Sequence, residues 1–167
     1  MTATARDAAE IVGYVENIVG KTRLQKTAAI LELAGLGAGF SFSYHLFGPY
    51  SDELASAVDR AVLLGLRSED EKVASWGGNY SVFRAEKIDN QNPIKARLIE
   101  TASKANAVFL ELAVTAAFLA SKGELNAWDR VSNLKPEKAT LDNLTKARTL
   151  YGSFLEIETP TPLPQVA

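Results

Sequence analysis

The run Lys21-Thr22-Arg23-Leu24-Gln25-Lys26 gathers three cations at the start of a helix. Such a cluster can hold an anion, because the free N–H groups of a first helical turn add to the positive field. The same run also reads more simply, as a solvated helix start in which Thr22 and Gln25 form a capping box. A second group, Tyr44-His45-Leu46-Phe47-Gly48-Pro49-Tyr50-Ser51, sets rings beside a rigid turn. Aromatic side chains give contact area at low entropic cost, so this stretch could form a recognition surface; it could equally be a strand end whose rings fill the core. A third group places Trp76 and Tyr80 around Gly77-Gly78-Asn79, with Lys72 and Arg84 on either side. An aromatic-tipped hairpin can stack on bases. The acidic lead-in Glu69-Asp70-Glu71 would repel phosphate and favours a structural cross-strand pair instead.

Catalytic options are few. The chain has no cysteine and a single histidine, His45, so thiol chemistry, thiolate zinc sites and a histidine-rich metal centre lack material. His45 falls on the serine face of its strand, with no carboxylate or nucleophile spaced to work with it. Asp52 with Glu53 reads as a helix-start dipole pair, and Glu69-Asp70-Glu71 as a solvated loop. Gly35-Leu36-Gly37-Ala38-Gly39 follows a helix and precedes a strand, the reverse of a phosphate loop. The expectation is therefore no enzyme, no cofactor and no metal.

The elements that must position these residues follow from period and punctuation. Apolar residues recur at helical spacing over Arg6–Val19, and Gly20 ends that helix. A second helix runs from Thr22 to about Ala34. Alternation of Phe40, Phe42, Tyr44 and Leu46 with serines and His45 predicts a half-buried strand, turned by Gly48-Pro49-Tyr50. Ser51 caps the next helix, with Leu54, Val58, Ala61 and Leu64 inward and Gly65 at its end. A hairpin over Lys72–Arg84 and a polar connector over Ala85–Pro93 lead to helices over 93–105, 106–121, 126–131 and 141–155, the second of them central and buried. Pro160, Pro162 and Pro164 predict a frayed tail.

The organisation expected is an α+β, mostly α, single domain over 1–155. A winged-helix-like half (1–85) with a small β-hairpin packs on a helical half (93–155), and a proline-containing tail covers 156–167. With 167 residues, 47% hydrophobic content and a formal charge of -2, the chain can bury a core and has no global pull toward nucleic acid. The longest apolar stretch, Ala107–Ala120, is broken by Glu111 and too short to span a bilayer, so no membrane partner and a cytoplasmic location are expected.

The run Lys21-Thr22-Arg23-Leu24-Gln25-Lys26, then Tyr44 through Gly48-Pro49-Tyr50-Ser51, then Leu64-Gly65-Leu66 and the later Leu110-Glu111-Leu112-Ala113-Val114-Thr115 together resemble the pattern of the Panacea antitoxin domains (the SocA-like proteins) and the related YwgA-like proteins, most specifically in the Gly-Pro-Tyr-Ser turn at its distance from the Leu-Gln-Lys helix. The resemblance spans roughly Ala8–Leu155. It departs at Thr27-Ala28-Ala29-Ile30, where those families carry larger side chains, and at Phe47, where they favour tyrosine. It implies a non-enzymatic regulator that binds another protein, a toxin in the Panacea case, as an antitoxin or a proteolytic adaptor. On this reading Lys21, Arg23, Gln25, Lys26, Tyr44, His45, Tyr50 and Ser51 lie near or support the partner-binding surface, and Gly48 and Pro49 shape its turn. The rival expectation is a winged-helix DNA-binding regulator. The helix after Ser51 argues against it, since Asp52, Glu53 and Asp59 face Arg60 alone as a cation.

Overall fold

Two helices that are buried on nearly every side organise the molecule. In the computed structural model, which describes residues 3–46, 48–73 and 79–167, α2 (Lys21–Leu33) is buried from Leu24 to Leu31 and α5 (Ala107–Ser121) from Leu110 to Phe118. For α5 the reason is composition, since a helix apolar nearly all round belongs inside a domain; α2 is buried although Gln25, Lys26 and Thr27 go in with its apolar residues. Around this pair lie α1 (Ala5–Gly13), α3 (Asp52–Ala61), α4 (Pro93–Ser103), α6 (Ala127–Leu134) and α7 (Leu141–Leu155). A three-stranded antiparallel sheet has the order β1-β5-β4, formed by β1 (Asn17–Val19), β4 (Arg67–Val73) and β5 (Asn79–Arg84). A separate hairpin pairs β2 (Ser43–His45) with β3 (Gly48–Tyr50). The protein is α+β and mostly α.

The second half follows the sequence closely. Asn92 and Asn106 cap α4 and α5 through their side-chain oxygens, and Thr140 caps α7. The first half departs from expectation in five places. The first helix stops at Gly13, and Asn17–Val19 pairs with β5 in the register Ile18 to Phe83. The run Val15, Ile18, Val19 fits a helical stripe, but it also alternates, with Ile18 buried between exposed Asn17 and Val19. Strand pairing to β5 decides between the two periods, and Glu16 makes the corner at φ 69°.

The capping box at Thr22 is absent. The helix begins one residue earlier behind Gly20, which offers no side chain, and Gln25 bonds elsewhere. The capping box of the structure is at Thr4 and Asp7. Gly48-Pro49-Tyr50 is a strand instead of a turn, and Tyr44 in the neighbouring strand and Leu46 just beyond it are exposed. Leu64, expected inside, is 47% exposed in a 3-10 turn with Val62 and Leu63, although Gly65 does close the segment with left-handed φ. Finally, Glu69-Asp70-Glu71 belongs to β4 and not to a loop. The antiparallel pairing expected over Lys72–Arg84 is present, but it begins at Arg67 and takes Asn79, expected in the turn, into β5. Its expected Gly77-Gly78 turn, the Trp76 side of the aromatic pair, and Phe47 lie outside the described residues.

The proline-containing segment is not frayed. Leu163 is 6% exposed, the Thr161 N–H donates to the Ala34 carbonyl at 2.9 Å, and the Tyr151 hydroxyl donates to the Pro164 carbonyl. Prolines rule out a helix but not docking: they pre-set an extended chain, and the helical body supplies its hydrogen-bond partners.

Candidate functional site

The residues singled out from the sequence converge beneath the β2–β3 hairpin. Gln25, on the second turn of α2, pairs with the backbone of Ser51 in both directions. Its Nε2 donates to the Ser51 carbonyl at 3.0 Å, and the Ser51 N–H donates to its Oε1 at 2.9 Å. One residue on, Lys26 points its Nζ at the Pro49 carbonyl, 2.7 Å away. Ser51 is wholly buried and caps α3 by accepting from the Leu54 N–H at 3.0 Å, as its sequence position predicts. Gly48 adopts φ 88°, and a Cβ there would collide with Thr115 Oγ1 of α5, so the backbone comes this close only without a side chain.

Below the hairpin α5 contributes a carboxylate. Glu111 is 2% exposed and sits among three lysines. Lys138 contacts both its oxygens at 2.9 and 3.1 Å, and Lys135 reaches Oε2 at 3.4 Å while donating to the Leu46 carbonyl at 3.0 Å. Lys26 feels the same carboxylate at longer range. Two of the three lysines therefore hold hairpin carbonyls, one on each strand side, and Glu111 balances their charge. Burial pulls the Lys26 ammonium down to about 8, helped by Lys135 and Lys138 and opposed by Glu111. Burial likewise lowers Lys135, and it raises the Tyr44 phenol together with the Glu111 charge.

An amine with a depressed pKa can act as a nucleophile or base. Lys26, however, is 1% exposed, and its nitrogen is committed to a backbone carbonyl. What this cluster does chemically is fix a backbone conformation.

The outer face of the hairpin is different. Tyr44 is 39% and Leu46 88% exposed; His45 is exposed, stacks at 5.2 Å on the half-buried Tyr50, and shares a 3.0 Å contact with Ser43 Oγ. Of the residues expected near a contact surface, the structure thus places Tyr44, His45 and Tyr50 on one hairpin. It buries Gln25, Lys26 and Ser51 as that hairpin's supports. Lys21 and Arg23 stand apart at the start of α2, and Arg23 is occupied with the Ala105 and Val19 carbonyls at 2.8 and 3.1 Å. The three cations of that run are therefore not one anion site.

Glu111, Thr115, Lys135 and Lys138 were missed as site residues. The available signal was Glu111 itself, a lone carboxylate inside an otherwise apolar helix, which cannot be buried without partners. Nothing in the sequence says which lysines those partners are. Among the described residues no group of three or more His, Asp or Glu is placed to hold a metal ion, and no helix is long and apolar enough to cross a membrane.

No family model matches this chain, and no match is found among curated proteins or solved structures.

Proposed function

We propose that this chain is a non-enzymatic regulatory protein of the cytoplasm that binds another protein, as a Panacea-type antitoxin or a proteolytic adaptor does, and that the β2–β3 hairpin is its docking element. One observation carries the reading. Three stretches distant in sequence, Gln25-Lys26, Gly48-Pro49-Tyr50-Ser51 and Glu111–Thr115, meet at this hairpin, and they fall within three of the four runs on which the antitoxin-like resemblance rests. Burying charged side chains is costly and is a weak way to gain stability, whereas it does single out one conformation from its competitors. A short hairpin held this firmly, with Tyr44, His45 and Leu46 turned outward, suits recognition by a protein surface.

The rival reading keeps one point in its favour. With the β2–β3 hairpin inserted between α2 and α3, the order α1-β1-α2-β2-β3-α3-β4-β5 and the sheet order β1-β5-β4 support a winged-helix-like first half. Duplex binding rests on cationic contacts, however, and the exposed side of α3 presents Asp52, Glu53 and Asp59 against Arg60. The winged arrangement here serves as the frame for protein contact.

Co-expression with the product of the neighbouring reading frame, followed by calorimetric titration of the pair, tests the proposal. Leu46→Asp and Tyr44→Ala are expected to weaken binding at least tenfold while leaving the melting temperature within a few degrees. Unchanged affinity in both folded variants removes the hairpin from the interface. A salt-sensitive shift of random duplex DNA would favour the rival.

A further inference from the structure

The segment Glu158–Ala167 crosses three helices in the manner of a bound peptide. Its Thr161 N–H donates to the Ala34 carbonyl just past the end of α2, where Gly35 takes φ 77° and has no room for a Cβ beside Thr161. Leu163 enters the hydrophobic cluster that also contains Trp128, Tyr151 and Phe154. The Tyr151 hydroxyl donates to the Pro164 carbonyl, and the backbone N–H of Trp128 donates to the Ala167 carbonyl at 3.3 Å. That last bond supplies the start of α6, whose N-cap Asn126 offers no side-chain acceptor. Arg148 lies over the Trp128 ring at 5.2 Å.

Val166 also packs, partly buried, against the core. Pro160, Thr161, Pro162 and Gln165 are exposed, and Leu163 is the single buried side chain after Ile157. An aromatic-lined groove, a hydroxyl aimed at a prolyl carbonyl and one apolar anchor between prolines are the means by which proteins bind extended proline-containing peptides. The prolines lower the entropy lost on docking.

We propose that this groove is a binding site for an extended Pro-Leu-Pro-type peptide of a partner protein, and that residues 158–167 occupy it in cis as a detachable strap. One buried leucine, the partly buried Val166 and a few hydrogen bonds hold the strap, so an incoming segment of the same chemistry can compete for its place. Partner binding and strap release are then coupled, because the apparent affinity for a peptide is reduced by the fraction of molecules whose groove is open. The strap covers a face built from α2, α6 and α7, so the proposal stands independently of the hairpin.

The test uses the full chain and a fluorescein-labelled peptide with the sequence of residues 158–167. Leu163→Asp removes the anchor, and Thr161→Pro removes the donor to Ala34; neither alters the groove. Fluorescence anisotropy is expected to show both variants binding the peptide at least tenfold more tightly than the unaltered chain, with a scrambled peptide inert. Adding Tyr151→Phe to either variant is expected to lower peptide affinity several-fold. Circular dichroism of the free proteins accompanies each titration. No peptide binding by variants that keep their helical signal overturns the proposal. So does loss of that signal in both, since a strap whose release unfolds the protein is part of its core. Concentration-dependent dimers of the unaltered chain formed by strap exchange would assign the groove to a second copy and overturn it as well.

Discussion

The hairpin at 43–50 and the strap at 158–167 are both non-helical segments laid over the same helical body, yet they are held by opposite means. The hairpin is gripped from below by ammonium groups on its carbonyls and a carboxylate that balances them, all removed from water. The strap is held by backbone and hydroxyl hydrogen bonds, by Leu163 in the edge of the core and by the partly buried Val166. Buried charges fail abruptly when a partner is removed, because the group left behind keeps its desolvation cost. Neutral contacts at a surface fail gradually, because water replaces them. The hairpin is therefore built to stay in one place and the strap to be able to leave.

The sharpest break of this contrast is Glu111→Ala, which leaves Lys26, Lys135 and Lys138 facing one another without a counter-charge. A loss of about 3–5 kcal/mol in urea unfolding is expected; a loss below about 1 kcal/mol would mean that the lysines are solvated and the grip is illusory.

The pH dependence comes next. Lys26 has its folded-state value lowered to about 8 from an ordinary 10.5, so between those values the unfolded chain holds more protons than the folded one. Stability must then rise with pH across that window, by on the order of 3 kcal/mol for a shift of this size at 1.36 kcal/mol per unit. Lys135 acts in the same direction. Above about pH 10 the gain is opposed by Tyr44 and Tyr151, whose phenols burial pushes up, so that the unfolded state loses their protons first. Melting temperatures collected from pH 7 to 10 check the slope, and Lys26→Met should flatten it.

Gly48→Ala is expected to cost about 2–3 kcal/mol, from the left-handed backbone and the collision with Thr115 together. The smallest effect belongs to the strap: Tyr151→Phe should cost about 1 kcal/mol, since a single neutral hydrogen bond is lost. A Tyr151→Phe loss as large as that of Glu111→Ala would erase the distinction between the two regions.

Where the sequence was legible, one signal dominated and nothing competed with it. The helices α4, α5 and α7 have side-chain caps and long apolar runs, and their ends fall where those signals put them. The stretch Asn17–Val19 carries two periods at once, and only the presence of β5 alongside decides between them. Thr22 and Gln25 satisfy the spacing of a capping box, but Gln25 gains two hydrogen bonds from Ser51, against which a local cap cannot compete. Proline spacing excluded a helix after Glu158 and was silent on whether a groove awaited it.

By itself, then, the sequence determined an α+β, mostly helical body, the cap at Ser51 and the glycine at the close of the 62–64 turn. Those features rest on contacts within a few residues, or on composition. Tertiary structure alone decided that Lys26 is buried, that Glu111 takes Lys135 and Lys138 as partners, that Tyr44 and Leu46 face outward, and that the strap lies down. Each of these depends on groups separated by tens of residues, whose meeting is set by how α2 and α5 pack and not by any local preference of the chain.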